Sequence, residues 1–165
     1  MVFYVKNKFV SLGDGSFVVD EQGQHLFAVK GKVFSITRKK YVCDLRGNVL
    51  YTVRNKYWHF FTRKSLIYEG KSGEKVCKLK EKFFGRTLDV VDCQDDITMH
   101  SQGLFKPISV YKNGELMGEW ARTLSGADFF RDSFRVSVED EKDAAFFVAL
   151  IIGVDNIRDK RTGRD

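Results

Sequence analysis

Apolar residues recur at every second position in short runs over most of this chain, the period of strands with one buried face. Val49, Tyr51 and Val53 share one side of such a run, and Thr52 and Arg54 the other. Phe134, Val136 and Val138 alternate with Ser133, Arg135, Ser137 and Glu139. Lys78, Lys80 and Lys82 alternate with Leu79 and Glu81, which predicts three ammonium groups on one side of a strand. Turns punctuate the runs. Phe17-Val18-Val19 leads through Asp20-x-x-Gly23 into Leu26-Phe27-Ala28-Val29. Asp44-x-x-Gly47 repeats that turn 24 residues later, between Tyr41-Val42-Cys43 and Val49 to Val53, and Leu66 to Gly73 is a looser third copy. Aspartate suits such a turn because its side chain bonds nearby backbone amides, and glycine because it accepts a positive φ. Asn113-Gly114, between Ile108 to Tyr111 and Leu116 to Trp120, predicts a two-residue hairpin turn.

One segment breaks the two-residue period. Ala144 to Val154 is apolar at all eleven positions, with Asp140-Glu141-Lys142-Asp143 before it and Asp155 after it. A helix that spans a bilayer needs roughly 20 apolar residues, whereas about 10–14 is the length of a buried core helix. A helix lying on a protein surface would keep a polar face. Asp140 is placed to cap the helix, with Glu141 and Asp143 in the first turn where the macrodipole favours anions. Many short strands followed by one helix apolar on every side predict a sheet curled around that helix. A closed barrel does this without open edges.

Length and composition agree with one such domain. The chain has 165 residues, 15 Phe, 6 Tyr, a single Pro and 43% hydrophobic content, enough for a core and too apolar for disorder. The domain is expected over residues 1–157, with the central helix at about 141–157 and a charged mobile tail at 158–165. Met1 to Lys6 lacks the basic start and long apolar stretch of a secretory leader. Cys43, Cys77 and Cys93 are odd in number and form no CxxC and no zinc pattern with His25, His59 or His100. Three free thiols in a reducing cytosol are the expectation. Asp92, Asp95 and Asp96 lack the spacing of an EF-hand and read as a solvated loop. There is no P-loop, GxGxxG or GxSxG. No metal site, cofactor or enzymatic activity is expected.

The charge is more informative. A net charge of +6 conceals 16 Lys/Arg against 4 Asp/Glu between Lys30 and Arg86, and 12 against 18 in the remainder. Such a division predicts a basic flank and an anionic partner. Two clusters stand out. Arg38-Lys39-Lys40 falls between two expected strands, at a predicted hairpin turn, and Lys56 to Lys64 (KYWHFFTRK) has basic ends around an aromatic centre. Cations attract anionic head groups, and Trp and Tyr favour the membrane interface. Nucleic acid is the weaker alternative. The competing reading makes Trp58, Phe60 and Phe61 wall residues and leaves the cations as a solvated rim.

The order of these features resembles the LURP-one-related family, within the wider tubby C-terminal-like group that includes phospholipid scramblases. The resemblance rests on Asp20-x-x-Gly23, Phe27-x-Val29-x-Gly31-Lys32-Val33-Phe34-Ser35 and Asp44-x-x-Gly47-Asn48. Near the other end it rests on Ser133 to Val138, Asp143-Ala144-Ala145-Phe146 and Ala149 to Asp155. It implies a mainly β fold, a closed antiparallel barrel of about twelve strands around a central C-terminal helix. It also implies chemistry at membranes: tubby-type members bind phosphoinositides through basic residues outside the barrel, and scramblase-type members act on bilayer lipids.

The sequence therefore predicts a non-catalytic, cytoplasmic barrel, peripheral at a membrane, that binds anionic phospholipid or phosphoinositide head groups. The expected contacts are Arg38, Lys39, Lys40, Lys56, Arg63 and Lys64. A protein-interaction or signalling scaffold is the second reading, and a scramblase-like membrane protein the third.

Overall fold

A computed structural model describes the chain over residues 1–6, 16–31, 36–56, 64–81, 88–101, 107–123 and 133–158. Twelve strands precede a single helix. They are β1 (Val2–Lys6), β2 (Ser16–Asp20), β3 (His25–Gly31), β4 (Lys40–Cys43), β5 (Val49–Asn55), β6 (Lys64–Glu69), β7 (Lys75–Glu81), β8 (Leu88–Val91), β9 (Ile97–Ser101), β10 (Ile108–Lys112), β11 (Glu115–Arg122) and β12 (Ser133–Val138). A short 3-10 turn, Glu141–Asp143, leads into α1 (Ala144–Arg158). All twelve strands form one antiparallel sheet in the order β8-β7-β6-β5-β4-β3-β2-β1-β12-β11-β10-β9. Pairing of β1 with β12 joins the two ends of the strand sequence. The β8 and β9 edges face each other without a ladder, so the barrel is closed except for this seam.

Strand alternation produces the inner lining. Val53 on β5, Ile67 on β6, Cys77 and Leu79 on β7, and Val136 and Val138 on β12 are all buried. Lys78 and Lys80 lie on the opposite side of β7 from Cys77 and Leu79, as the alternation requires; Lys82 lies outside the described residues. The repeated turns share a backbone hydrogen bond, Gly23 amide to Asp20 carbonyl and Gly47 amide to Asp44 carbonyl, each 3.1 Å. The Asp20 carboxylate accepts from the amides of Gln22 (2.9 Å) and Gln24 (2.8 Å), and the Asp44 carboxylate from the Asn48 amide (2.8 Å). Gly23 and Gly47 sit at φ +80° and +90°, the left-handed region that explains both glycines. Asn113 and Gly114 are both left-handed, φ +53° and +85°, as a type I′ hairpin turn demands.

The helix fills the barrel. Phe147 to Val154 is buried without interruption, and Ile157 extends the buried surface by another turn. Each large apolar side chain contributes roughly 1.5–3 kcal/mol by leaving water. Two glycines permit close packing around it. A β-carbon on Gly153 would stand 2.5 Å from Leu79 Cδ1 on β7. One on Gly118 would meet the Ser137 carbonyl at 2.3 Å and the Phe147 ring at 2.9 Å. Phe147 also meets Trp120 edge to face, with ring centroids 5.5 Å apart.

Two expectations need correction. Asp140 does act as a cap, accepting from the Lys142 amide at 3.0 Å, but it caps the 3-10 turn, and the first turn of α1 itself holds no acid. The thiols are not all free: Cys77 and Cys93 form a disulfide, and Cys43 alone is free and buried. Sixteen residues separate the pair, but β8 runs back along β7 and returns Cys93 to its side. The expected tail lies outside the described residues after Arg158, which is the last residue of α1.

Leu150→Asp is expected to abolish cooperative unfolding, because an unpaired buried charge costs several kcal/mol of the roughly 5–15 available to a domain. Gly153→Val is expected to lose roughly 1–3 kcal/mol by overpacking against Leu79, read as a lower urea midpoint. At Gly23, replacement by Val is expected to destabilise more than replacement by Asn, which tolerates the left-handed region.

Candidate functional site

Antiparallel pairing sorts the connections between two rims. The β2–β3, β4–β5, β6–β7, β8–β9 and β10–β11 turns, together with the helix start, lie on one, the turn rim. The other connections and the C-terminal end of α1 lie on the opposite rim. Charge follows this division. The turn rim holds Asp20, Asp44, Glu69, Asp95, Glu115 and Glu141, whereas the opposite rim holds Lys30, Arg38, Lys39, Lys56, Lys64 and Lys80. The basic stretch seen in the sequence runs from the end of β3 to β7, five adjacent strands; of its described cations, Lys30, Arg38, Lys39, Lys40, Lys56, Lys64 and Lys80 lie toward the opposite rim, whereas Arg46, Lys71 and Lys75 lie on the turn rim.

The local frame of the basic rim is well defined. The Asn55 amide donates to the Thr37 carbonyl at 2.7 Å, which brings the β3–β4 connection against the end of β5. The Lys56 amide donates to the Lys64 carbonyl at 3.0 Å, extending the β5–β6 pairing by one step. Arg38 has a left-handed backbone, φ +50°, uncommon for a residue with a β-carbon. Its carbonyl accepts from Asn156 Nδ2 at 3.3 Å, so the helix end helps hold this turn. Asn55 Nδ2 in turn donates to the Asn156 carbonyl at 3.3 Å. Lys39 Nζ lies 5.6 Å from the Tyr41 ring centroid, within the range of a cation–π contact. Lys64 stands beside Lys80 in the β6–β7 register, two like charges on neighbouring strands.

The predicted contacts therefore divide. Arg38, Lys39, Lys56 and Lys64 are brought to one rim, with Lys56 exposed and the others half-buried. Arg63 lies outside the described residues, as do the aromatic residues 57–61. Lys40 is placed differently. It pairs with Val53, whose side chain points inward, so Lys40 also points into the barrel mouth. There its ammonium lies 3.5 Å from the Asp155 carboxylate, with both side chains nearly buried at 12% and 13% exposure. Lys40 anchors the helix end and is not an outward contact. Strand parity with the buried Val42 carried this signal in the sequence.

Sequence reasoning also missed the polar group beneath the rim. Asn55, Ser65 and Asn156 are buried, and the side-chain oxygen of each has no hydrogen-bond partner among the described residues. Asn55 follows Val53 with the inward parity of its strand, which was its one legible sign. Ser65 lies opposite Asn55 in the β5–β6 register, and its hydroxyl faces Gly153 of the helix. Elsewhere, His25 stacks on Phe17 with centroids 3.9 Å apart, and His100 meets Tyr111 edge-on. Among the described residues no group of three His, Cys, Asp or Glu is arranged to hold a metal ion. The acidic loop is engaged by this chain's own lysines: Lys78 and Lys75 meet Asp92, and Lys112 meets Asp95.

A family model described as LURP-one-related matches residues 1–155. The chain belongs to the LURP-one-related family. Among solved structures, a protein of Arabidopsis thaliana determined by X-ray crystallography is similar over 93% of this chain and 90% of its own, with a TM-score of 0.62 and 18% identity. At that identity the likeness is one of fold. No curated protein matches the chain. The mainly β barrel of twelve strands with one C-terminal helix is thus the architecture of a LURP-one-related domain. No helix among the described residues is long and apolar enough to cross a membrane.

Lys40→Met is expected to destabilise this LURP-one-related domain by roughly 1–3 kcal/mol, because it removes the ammonium that stands against the nearly buried Asp155 carboxylate. The double variant Lys40→Met/Asp155→Asn is expected to recover part of that loss in a thermal melt, since no charge remains to be desolvated.

Proposed function

We propose that the domain is a non-catalytic binding module whose basic rim takes the phosphate-bearing head groups of anionic membrane lipids. The observation that carries this reading is the gathering of Arg38, Lys39, Lys56 and Lys64 on one rim, from segments that the sequence separates. The rim has the chemistry such a surface needs. Its cations stand on short hydrogen-bonded connections, and each Lys or Arg near an anionic leaflet is worth about 1 kcal/mol. Lysine and arginine side chains also carry apolar stems that lie against an interface. The turn rim bears most of the acids, so an anionic surface attracts one end of the barrel and repels the other. That difference orients the molecule during encounter. Family membership supports the barrel but does not identify a ligand; the lipid reading rests on the rim.

The second reading, a protein-interaction module, has its own support in the acidic rim and does not compete with the first for residues. Scramblase-like activity ranks third, since it calls for more than a charged surface.

The test is flotation with vesicles that contain or lack an anionic phospholipid. Wild type is expected to float with acidic vesicles at low salt and progressively less as salt shortens the reach of the charges. Replacing Arg38, Lys39, Lys56 and Lys64 with Glu is expected to abolish flotation while shifting the melting temperature by no more than about 3 °C. Undiminished flotation of that variant would reject the basic rim as the lipid site.

A further inference from the structure

The acidic rim carries a cavity of about 150 Å³. It lies where the helix begins and where the β8–β9 connection crosses the open seam of the sheet. Tyr51, Val76, Ile97 and Phe146 supply its apolar wall, with the Tyr51 and Phe146 rings 5.7 Å apart. Its polar wall sets the carboxylates of Glu69, Asp95 and Asp143 against a single cation, Lys112. The Lys112 ammonium lies 3.1 Å from Asp95 and 3.5 Å from Asp143, tying the β8–β9 connection to the helix start. Its partners hold the Lys112 pKa above the usual lysine range, hydrogen bonding to Asp95 first. Lys112 is therefore charged at neutral pH, and three carboxylates against one ammonium leave the cavity negative.

We propose that this cavity seats one Arg or Lys side chain from a basic segment of a partner protein. Size, lining and charge support the same occupant. The volume is well below the 300 Å³ or so at which drug-sized ligands are held, and it suits a single side chain. The apolar wall matches the aliphatic stem of a basic residue, and two aromatic rings in the lining suit the neighbourhood of a cation. An uncharged apolar ligand would desolvate the carboxylates without compensation. An anion would meet a negative field. A bare metal ion is disfavoured because Lys112 already occupies two of the carboxylates. The Tyr51 phenol senses the same balance: burial raises its pKa most, Glu69 and Asp143 raise it further, and the opposing effect of Lys112 is the smallest.

The fold adds a long-range contribution. Asp96, Glu115, Asp140 and Glu141 are exposed on the same rim, and with Asp20, Asp44, Glu74 and Asp92 they outnumber its cations Arg46, Lys71, Lys75 and Lys142, so basic residues flanking the seated one are drawn to the surface around it. The partner is consequently a segment rich in Lys and Arg, not a free amine. The domain then has two surfaces of opposite chemistry at opposite ends of one barrel.

The test is a nuclear magnetic resonance titration of the full chain with a short Lys/Ser/Gly peptide bearing one central Arg. A second peptide carries citrulline at that position, with the same shape and no charge. The Arg peptide is expected to perturb the amides of Tyr51, Val76 and Ile97 and to bind about tenfold more tightly than the citrulline peptide. Glu69→Gln, at an exposed position, and Val76→Phe, which fills the cavity without changing its charge, are each expected to weaken Arg-peptide binding about tenfold. The four-residue Glu variant of the basic rim is expected to bind the peptide as wild type does, which separates this site from the lipid surface. Equal binding of the two peptides, or no binding of either, overturns the proposal. So does Arg-peptide binding unchanged in Glu69→Gln, or in a Val76→Phe protein that melts like wild type.

Discussion

Everything in this domain depends on placing an apolar helix inside a sheet. The segment Ala144 to Val154 has no polar face to offer water, and a single flat sheet would cover only one side of it. A barrel covers all sides and also removes nearly all free strand edges. The requirement propagates outward. It sets inward parity for Val53, Ile67, Leu79 and Val136, and it demands near contact at Gly118 and Gly153, where any side chain would strike the opposing wall. Large-to-small or small-to-large changes at such points are felt because interiors pack as densely as organic crystals.

The same arrangement creates a problem at the helix ends, where the apolar core gives way to carbonyls, amides and water. The two ends solve it with different chemistry. At the start, Asp140 caps the 3-10 turn, and Lys112 ties Asp143 to the β8–β9 connection. At the finish, Asn156 holds the Arg38 carbonyl and Asp155 holds Lys40. Each end of the helix is therefore joined by polar contacts to the rim on which a functional surface is proposed. An antiparallel sheet of even strand number guarantees that the helix start and the tight turns share one rim. Acids concentrated in the turns and helix start, and cations at the other strand ends, then become a separation of charge along the barrel.

Much of this was legible before any coordinates. The two-residue period gave the strands, the Asp-x-x-Gly echo gave two equivalent turns, and an apolar run too short for a membrane gave the central helix. These signals are local, and each follows from backbone geometry or from burial alone. The failures were not local. Cys77 and Cys93 are brought together by β8 folding back on β7, and spacing along the chain says nothing of that. Lys40 looked like part of a basic turn because its neighbours are cations; parity with Val42 hinted at its inward direction, and only its register with Val53 fixes it in the strand. Asn156 lies just beyond the apolar run, where a polar residue reads as the edge of the helix, yet it is fully buried and bonds a turn 118 residues away.

Lys40 shows why charge alone is a poor guide to a binding surface. Its ammonium and the Asp155 carboxylate are held in a nearly dry setting, where attraction within the pair must offset the loss of two hydration shells. A lipid phosphate could recruit Lys40 only by drawing it from the Asp155 carboxylate, and Asp155 sits on the helix that fills the core. Other cations of the basic rim stand nearer the water. Lys56 is exposed, and Lys64 lies on the outer face beside Lys80. The cations of the Lys30–Arg86 stretch thus differ in kind: Lys40, in register with a core residue, fastens the helix, whereas Lys56 and Lys64 stand toward the solvent side of their strands.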